Sequence, residues 1–219
     1  MKLAVIIYHK NIRAIYPQRW IDTCIKSIVA QEGVKFDVLE LNYAGENLFY
    51  YPNSKQYTEV FTNHAEAMNF LLDIAFNELK YDAVANINMD DFYPSHRFKT
   101  QLEEIKKGAE LVSAQWHYVD EMDNRIGGIY YTQNDLERLE SENVIGHPVV
   151  MFAKSFWEGM RYVPGEVPKE DWYLWQRAKL AGKNIVLLED SLMYHRIHSN
   201  KISWANSNKK ADKRFRRRL

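Results

Sequence analysis

Two adjacent acidic residues, Glu170 and Asp171, open an aromatic-rich segment that predicts a helix from about residue 169 to 181. Pro168 precedes the pair and Gly182 follows the segment, which are typical residues at the start and end of a helix. Free backbone N–H groups and the positive end of the helix dipole favour an ionised carboxylate in this first turn. An ionised carboxylate accepts protons at neutral pH, which is the chemistry of a general base. Acids at this position are also ordinary helix stabilisers, so both interpretations stay open here.

A second acidic pair, Asp90 and Asp91, follows the apolar run that predicts a strand at residues 83–88. In open α/β sheets the ligand crevice lies at the carboxyl ends of the strands. Two carboxylates at that place suit Mg²⁺ or Mn²⁺, which take oxygen ligands and bridge substrate phosphates. An Asp-Asp pair after a strand is also a common turn or helix cap. The motif therefore predicts either a metal site or a turn.

Apolar runs alternate with helical patterns along the chain, which predicts a single α/β domain with a mostly parallel, Rossmann-like central sheet flanked by helices and a smaller mixed part. We expect strands at residues 3–8, 36–41, 83–88, 111–116, 147–152, 184–188 and 192–197, and helices at 18–31, 64–79, 95–107 and 169–181. A hairpin is expected around residues 122–125, with Gly127 and Gly128 as part of it. The irregular stretch from residue 42 to 63 is expected to be a loop that covers a site.

The composition is that of an ordinary globular protein, because 46% of the 219 residues are hydrophobic. No apolar run is long enough to span a membrane, and the amino-terminal apolar run is too short for a signal peptide. We therefore expect a cytoplasmic protein. The single cysteine, Cys24, lies on the apolar face of a predicted helix and is expected to be a core residue.

The carboxyl-terminal end is strongly basic, because seven of the last eleven residues are Lys or Arg and one is Asp. The rest of the chain has 28 acidic and 22 basic residues. We expect a folded domain at residues 1–203 and a basic tail at residues 204–219. Clustered Lys and Arg bind nucleic acid or an anionic membrane surface, or are simply a solvated end. The tail thus leaves open contact with DNA and a location peripheral to the membrane.

Five segments in register resemble the inverting family 2 glycosyltransferases, which have the GT-A fold. They span residues 2 to about 203. Residues 3–7 with 19–31 resemble the family's opening strand and helix, Asn88-Met89-Asp90-Asp91 stands at the place of its D-x-D-D, and residues 147–152 resemble its strand before the acceptor region. The last two segments are Glu170-Asp171-Trp172-Tyr173-Leu174-Trp175 with Gly182-Lys183, similar to E-D-x-x-L-W…G-K, and residues 194–203, similar to Y-x-R-x-H-x-x-x-x-S. Each segment is weak or moderate by itself. Their common order makes the resemblance specific.

The resemblance implies transfer of a sugar from a nucleotide-sugar donor to an acceptor hydroxyl, with Mn²⁺ or Mg²⁺ as cofactor. It assigns the general base to Asp171. Four residues are implied in donor or nucleotide binding: Asn42, Asn88, Asp90 and Arg196. The implied metal ligands are Asp90, Asp91 and His198, and His198 is also an implied pyrophosphate contact. Three are implied on the acceptor side: Glu170, Trp172 and His147. His195 is expected to be structural.

Two positions depart from the family pattern. Asn88 stands where the family usually has Asp, and Asn42-Tyr43 stands where its second strand usually ends in an acidic pair. An amide accepts hydrogen bonds but offers a metal no charge, so a different nucleotide, a weaker metal dependence or lost activity would fit.

The acceptor is left open by the sequence, as a glycan, a lipid-linked molecule or a nucleic acid. A glycosyltransferase that acts on modified bases of viral DNA is one alternative. A non-catalytic nucleotide- or glycan-binding protein on the same fold is an alternative of another class, and a nucleotidyltransferase is a third.

Overall fold

The computed structural model describes residues 1–199, so the basic tail predicted at 204–219 and the last residues of the predicted domain lie outside the described residues. Strands and helices alternate along residues 1–199 in this order: β1 (Leu3–His9), α1 (Gln18–Val29), β2 (Phe36–Asn42), β3 (Lys55–Thr58), α2 (His64–Asp73), β4 (Ala83–Ile87), α3 (Arg97–Lys106), β5 (Leu111–Val119), β6 (Arg125–Ile129), β7 (Met151–Ala153), α4 (Lys154–Trp157), α5 (Glu170–Leu180) and β8 (Ile185–Arg196). Helix α2 continues into a π-helical segment, Ile74–Glu78. Among the helices of this part of the chain, none is long and apolar enough to cross a bilayer.

One sheet joins all the strands in the order β3-β2-β1-β4-β7-β5-β6, with β8 paired to β5. Strands β1 to β4 form a parallel block. Strand β7 is antiparallel to both β4 and β5, and β8 runs parallel to β5. The predicted class, a mostly parallel sheet with a smaller mixed part, is confirmed. Strand β3 lies within the stretch that was expected to be an irregular loop.

Helices cover both faces of the sheet, so β1 is buried on both sides, as is usual for a parallel sheet. Ala4 and Ile6 pack with α2 and α5 on one face, whereas Val5 and Ile7 pack with α1 and α3 on the other. Cys24 is fully buried on α1, which confirms its prediction as a core residue.

Helix α5 begins at Glu170 and ends just before Gly182, which has a φ of +72°. The helix predicted there is confirmed. Leu174, Trp175 and Ala178 are fully buried, and they form one face of the helix. This face fixes α5 against the sheet, and thereby fixes the position of the acidic pair in its first turn.

The strand predicted at residues 147–152 is wrong in its first half. His147–Val149 forms a short 3-10 helix, and β7 begins only at Met151. The reason is Pro148, which has no backbone N–H to give to a neighbouring strand and whose fixed φ favours a helical turn.

The two strands predicted at residues 184–188 and 192–197 are one strand, β8. Its pairing with β5 is interrupted after Leu188 and resumes at Ser191. The two acidic residues between them form a bulge, which keeps the strand continuous although the polar sequence resembles a break.

The hairpin predicted around residues 122–125 is confirmed and joins β5 to β6. Its turn is closed by the Asp120 carboxylate, which accepts hydrogen bonds from Met122 N at 2.8 Å and Asn124 N at 2.9 Å. Gly127 and Gly128 lie in β6 and pair with β5, as expected for a hairpin rather than a phosphate-binding loop.

We expect Trp175→Ala to reduce the free energy of unfolding by about 3–5 kcal/mol, because it removes the largest side chain of the buried α5 face and leaves a cavity. Leu180→Ala on the same helix is the matched control, since Leu180 is 83% exposed, and should cost at most about 0.5 kcal/mol. Urea unfolding of both variants measures the difference. Equal losses would contradict the proposed anchoring of α5.

Candidate active site

The parallel strands β1, β2 and β4 end side by side at one edge of the sheet. His9 at the end of β1 is in register with Asn42 at the end of β2, and Ile7 is in register with Ile87 at the end of β4. The loop after β4 then carries the acidic pair. The structure therefore brings the predicted donor and metal residues to the edge where α/β proteins bind ligands.

The two acids of the β4 loop have different partners. Asp91 is fully buried, and its two carboxylate oxygens lie 2.9 Å from Arg196 N and 3.1 Å from His195 Nδ1. Asp91 thus joins the β4 loop to the end of β8, and the structural role of His195 stays a prediction. Asp90 is 6% exposed, and its carboxylate lies 3.0 Å from His198 Nε2.

His198 is enclosed by aromatic rings. Its ring centroid lies 5.5 Å from that of Tyr16 and 4.9 Å from that of Trp20. Its second nitrogen, Nδ1, is buried and has no hydrogen-bond partner among the described residues. The contact with Asp90 therefore fixes which nitrogen of His198 faces the site.

A divalent cation at this edge would depend mainly on Asp90. Within residues 1–199, no group of three or more His, Cys, Asp or Glu side chains is arranged to hold a metal ion. Mg²⁺ is commonly held by one or two carboxylates together with substrate phosphates and water, and Asp90 fits that mode. Asp91 would have to give up hydrogen bonds to β8 in order to bind a cation, so its role as a ligand stays a prediction.

The Arg196 guanidinium is fully buried and already engaged. Its Nε donates to the Asp90 backbone oxygen at 3.0 Å, and its Nη1 pairs with the Asp123 carboxylate. The rings of Trp20 and Phe92 lie 4.9 and 5.6 Å from the guanidinium carbon. The predicted phosphate contact of Arg196 would require these interactions to be exchanged, and it stays a prediction.

The two asparagines at positions where the family usually has acids also have local partners. Asn42 donates through Nδ2 to Leu48 O at 3.2 Å and accepts from Ala44 N at 3.0 Å, so its amide closes its own loop. Asn88 is half-buried, and its Oδ1 accepts from the Tyr8 hydroxyl at 3.4 Å. Asn88 is thus the more accessible of these two asparagines.

Glu40 is a buried carboxylate that the sequence analysis missed. It accepts hydrogen bonds from Tyr50 N at 2.7 Å, Tyr51 N at 3.0 Å and Ser54 Oγ at 2.9 Å. His9 Nε2 lies 3.2 Å from it. These contacts fold the loop after β2 over the ends of β1 and β2. The available signal was an acid between the apolar residues Leu39 and Leu41 of a predicted strand, which marks a buried charge that needs partners.

Glu170 and Asp171 both lie in the first turn of α5, as predicted. Glu170 is 4% exposed, and its Oε1 hydrogen-bonds His64 Nε2, whereas its Oε2 has no partner among the described residues. Burial would raise the pKa of Glu170, but the hydrogen bond and charge of His64 outweigh it and lower the pKa.

Asp171 is partly exposed, and the groups that hydrogen-bond its carboxylate are uncharged, unlike His64 in its protonated form beside Glu170. Its Oδ2 accepts from Asn143 Nδ2 at 3.2 Å and its Oδ1 from Trp172 N at 2.7 Å. Burial, and then the charge of Glu170, raise the pKa of Asp171 to about 6. We expected the helix terminus to favour the ionised form, and burial reverses the direction of that shift. At pH 7 the carboxylate is still mostly ionised, so it retains the capacity to accept a proton.

The other residues predicted on the acceptor side surround this pair. His147 Nε2 lies 2.9 Å from the Tyr162 hydroxyl, and burial lowers the pKa of His147 to about 4, so this imidazole is neutral. The Trp172 indole donates to Leu139 O at 2.6 Å, and its ring is parallel to that of exposed Tyr173.

Tyr8 connects the two halves of the site. Burial raises the pKa of its phenol, and the charges of Tyr43, Glu170 and Asp90 act in the same direction. The Tyr8 hydroxyl is therefore close enough to both acidic regions to be affected by each. Its hydrogen bond to Asn88 places Tyr8 beside the loop that carries Asp90.

Comparison with solved structures identifies the fold. TarS of S. aureus, a family 2 glycosyltransferase of the GT-A fold, matches the chain in several crystal structures. TarS 1-349 in complex with UDP-GlcNAc is 14% identical with a TM-score of 0.69, over 95% of this chain and 62% of that one. The UDP complex is 16% identical with a TM-score of 0.66, over 90% of this chain and 61% of that one.

Another TarS structure is 15% identical with a TM-score of 0.65, and the match covers 90% of this chain but only 37% of that chain. The chain therefore spans less than two thirds of the TarS structures it resembles. No protein-family model and no curated protein matches the sequence. The structural similarity confirms the GT-A fold that the sequence motifs implied.

We expect Glu40→Gln to loosen the loop after β2, because the amide offers one oxygen and no charge to four donors. The free energy of unfolding should fall by about 1–3 kcal/mol, and the amides of Tyr50 and Tyr51 should exchange faster with deuterium. Glu46→Gln, at an exposed position of the same loop, is the matched control. Unchanged exchange at Tyr50 and Tyr51 would contradict the anchoring role of Glu40.

The pKa of Asp171 also predicts a pH dependence of stability. Its folded-state pKa of about 6 lies above the unfolded value, so the folded chain retains a proton that the unfolded chain has released. The stability that this provides, on the order of 2 kcal/mol, is present below about pH 4 and is lost as the pH rises to about 6.

Asp171→Asn removes this dependence, so the variant should gain stability relative to the wild type between about pH 4 and pH 6. Urea unfolding at several pH values measures the difference. Asp190→Asn, in the exposed part of the β8 bulge, controls for the general effect of removing a carboxylate. A difference that stays constant with pH would contradict the assignment.

Proposed function

We propose that this chain is an inverting glycosyltransferase that moves a sugar from a nucleotide-sugar donor to an acceptor hydroxyl, with Asp171 as the general base. The observation that carries the proposal is the acidic pair at the start of α5. Asp171 is partly exposed, its carboxylate is hydrogen-bonded by Asn143, and its pKa is raised to about 6. A general base works best with a pKa near the operating pH.

The reaction requires one proton acceptor and one stabilised leaving group. The acceptor hydroxyl loses its proton to the Asp171 carboxylate as its oxygen forms a bond to the anomeric carbon of the donor sugar. The bond between that carbon and the phosphate oxygen breaks, and the nucleoside diphosphate leaves with the electron pair. Attack opposite the leaving group inverts the anomeric configuration.

A divalent cation held by Asp90 would neutralise charge on the departing diphosphate. Asp91 and His198 complete the proposed metal region, and Asn88 and Arg196 the proposed donor region. Asn42 contributes by shaping the loop beside the donor. TarS has been solved with UDP and UDP-GlcNAc, so uridine sugar nucleotides are the first donors to test.

The proposed acceptor side consists of Glu170, His147 and Trp172. Aromatic rings near this pair suit the apolar faces of sugars as well as nucleobases, so the proposal includes glycan, lipid-linked and nucleic-acid acceptors. A cytoplasmic location, at the membrane surface if the basic tail binds lipids, is part of the same proposal.

The alternative is a nucleotide-binding protein on the same fold that has lost turnover. The observation in its favour is that Asn42 and Asn88 supply amides where charged groups would bind a donor more strongly. It predicts donor binding with no transfer in the wild-type chain.

We expect the wild-type chain to bind one sugar nucleotide in the presence of Mn²⁺, measured as a rise in melting temperature. Transfer is then assayed with glycan, lipid-linked and DNA acceptors. Asp171→Asn should retain donor binding within about 3-fold and lose transfer by a factor of roughly 10²–10⁴. Asp90→Ala should lose the Mn²⁺-dependent part of the thermal shift.

Asp190→Asn serves here too as the control for removal of a carboxylate. Transfer by Asp171→Asn at the wild-type rate would show that another group is the base. Binding without transfer in the wild-type chain would favour the non-catalytic alternative, and the absence of any nucleotide binding would refute both functions.

A further inference from the structure

His64 connects two parts of the protein that are distant in sequence. It is the first residue of α2, and the preceding Asn63 caps that helix by accepting a hydrogen bond from Glu66 N at 3.2 Å. Ala65 and Met68 on the same helix are fully buried, so the start of α2 is held firmly against the sheet. The His64 imidazole is therefore presented to Glu170 from a rigid position.

The buried carboxylate of Glu170 depends on His64 as its hydrogen-bond partner. A buried carboxylate is costly unless it is paired and hydrogen-bonded. Among the described residues, His64 is the only side chain that hydrogen-bonds Glu170, and the second carboxylate oxygen is buried without a partner. The His64 side chain is 18% exposed and that of Glu170 is 6% exposed, so both partners of the contact are largely withdrawn from water.

The other titratable groups around the acidic pair come from three further elements. They are Tyr8 of β1, His147 of the short helix before β7, and Tyr162 of the segment before α5. His147 is neutral, and burial raises the pKa of both phenols, so these groups are also neutral near pH 7. Among the described residues, the groups whose charge acts on Asp171 are Glu170 and, in its protonated form, His64.

We propose that His64 is a positioning residue: it holds the Glu170 carboxylate in place and, through it, controls the ability of Asp171 to accept a proton. The inference rests on the proposed function for its catalytic meaning. The contact between His64 and Glu170, and the adjacency of Glu170 and Asp171 in one helical turn, carry it.

The physical basis is the opposition of two charges next to one base. The negative charge of Glu170 favours the protonated form of Asp171, whereas the positive form of His64, in contact with Glu170, offsets that charge and so opposes protonation. Removing the charge of Glu170 should therefore lower the pKa of Asp171, and removing that of His64 should raise it. A purely structural contact would instead lower the rate by the same factor at every pH.

The test compares the pH dependence of transfer in single and double variants. His64→Gln retains an N–H donor but no charge, so the acid limb of kcat/KM should move up by roughly one pH unit. The rate at pH 6 should then be about 5-fold lower, with little change at pH 8.5. Glu170→Gln should move the acid limb down by a similar amount. His64→Asn is a second variant with a neutral donor.

The double variant His64→Gln/Glu170→Gln tests whether His64 acts through Glu170. If it does, the shift caused by His64→Gln should fall to less than about half once Glu170 is neutral. His96→Gln, on an exposed histidine, and Glu158→Gln, on an exposed glutamate, are the matched controls. Melting temperatures of all variants identify any loss of folding.

A second readout does not depend on turnover. The side-chain carboxyl carbon of Asp171, labelled with ¹³C and assigned by its disappearance in Asp171→Asn, reports the protonation of this group directly. The expected midpoints rise in His64→Gln and fall in Glu170→Gln. Midpoints that do not move, or that move in the same direction, would overturn the proposal. Opposite shifts in a chain that transfers no sugar would support the charge coupling and reject the proposed function.

Discussion

The structure depends on the burial of carboxylates at one edge of the central sheet. Removing such groups from water costs several kcal/mol each unless hydrogen bonds and opposite charges compensate. Three of them, Glu40, Asp91 and Glu170, are at most 4% exposed. Each one binds a different segment to the sheet edge: the loop after β2, the end of β8 and the start of α2. The polar groups that define the site are thus also the groups that hold its walls together.

The repeated elements of the fold could be predicted because their signals are local. The apolar residues of β1 form a continuous run from Leu3 to Ile7, and the buried face of α5 follows the helical spacing of Leu174, Trp175 and Ala178. The same reasoning failed where a local signal misled. Pro148 makes the first half of an expected strand a short 3-10 helix. The polar bulge in β8 looks in the sequence like a loop between two separate strands. Backbone chemistry explains the first difference and pairing with β5 the second.

Residues of the candidate site could be predicted from the sequence, but the pairing and burial of its acidic residues could not. Sequence motifs identified Asp90, Asp171 and Glu170, whereas the partner of Glu170 lies 106 residues away and has no motif of its own. The missed residues, Glu40 and His64, are joined to the site by long-range contacts. Such contacts decide which acid is buried and paired and which stays accessible, and no local pattern encodes them.

Strand β8 gives this arrangement a consequence for the order in which it can form. It lies after all the other described strands, and it pairs along its length with β5, more than 70 residues earlier in the chain. Because contacts between distant segments form slowly, β5–β8 pairing is expected late in folding. Asp91 hydrogen-bonds His195 and Arg196 at the end of β8, so a nascent chain shorter than residue 195 lacks both of these contacts. During synthesis, the edge of the sheet that carries the candidate site therefore remains incomplete until β8 has left the ribosome and paired with β5.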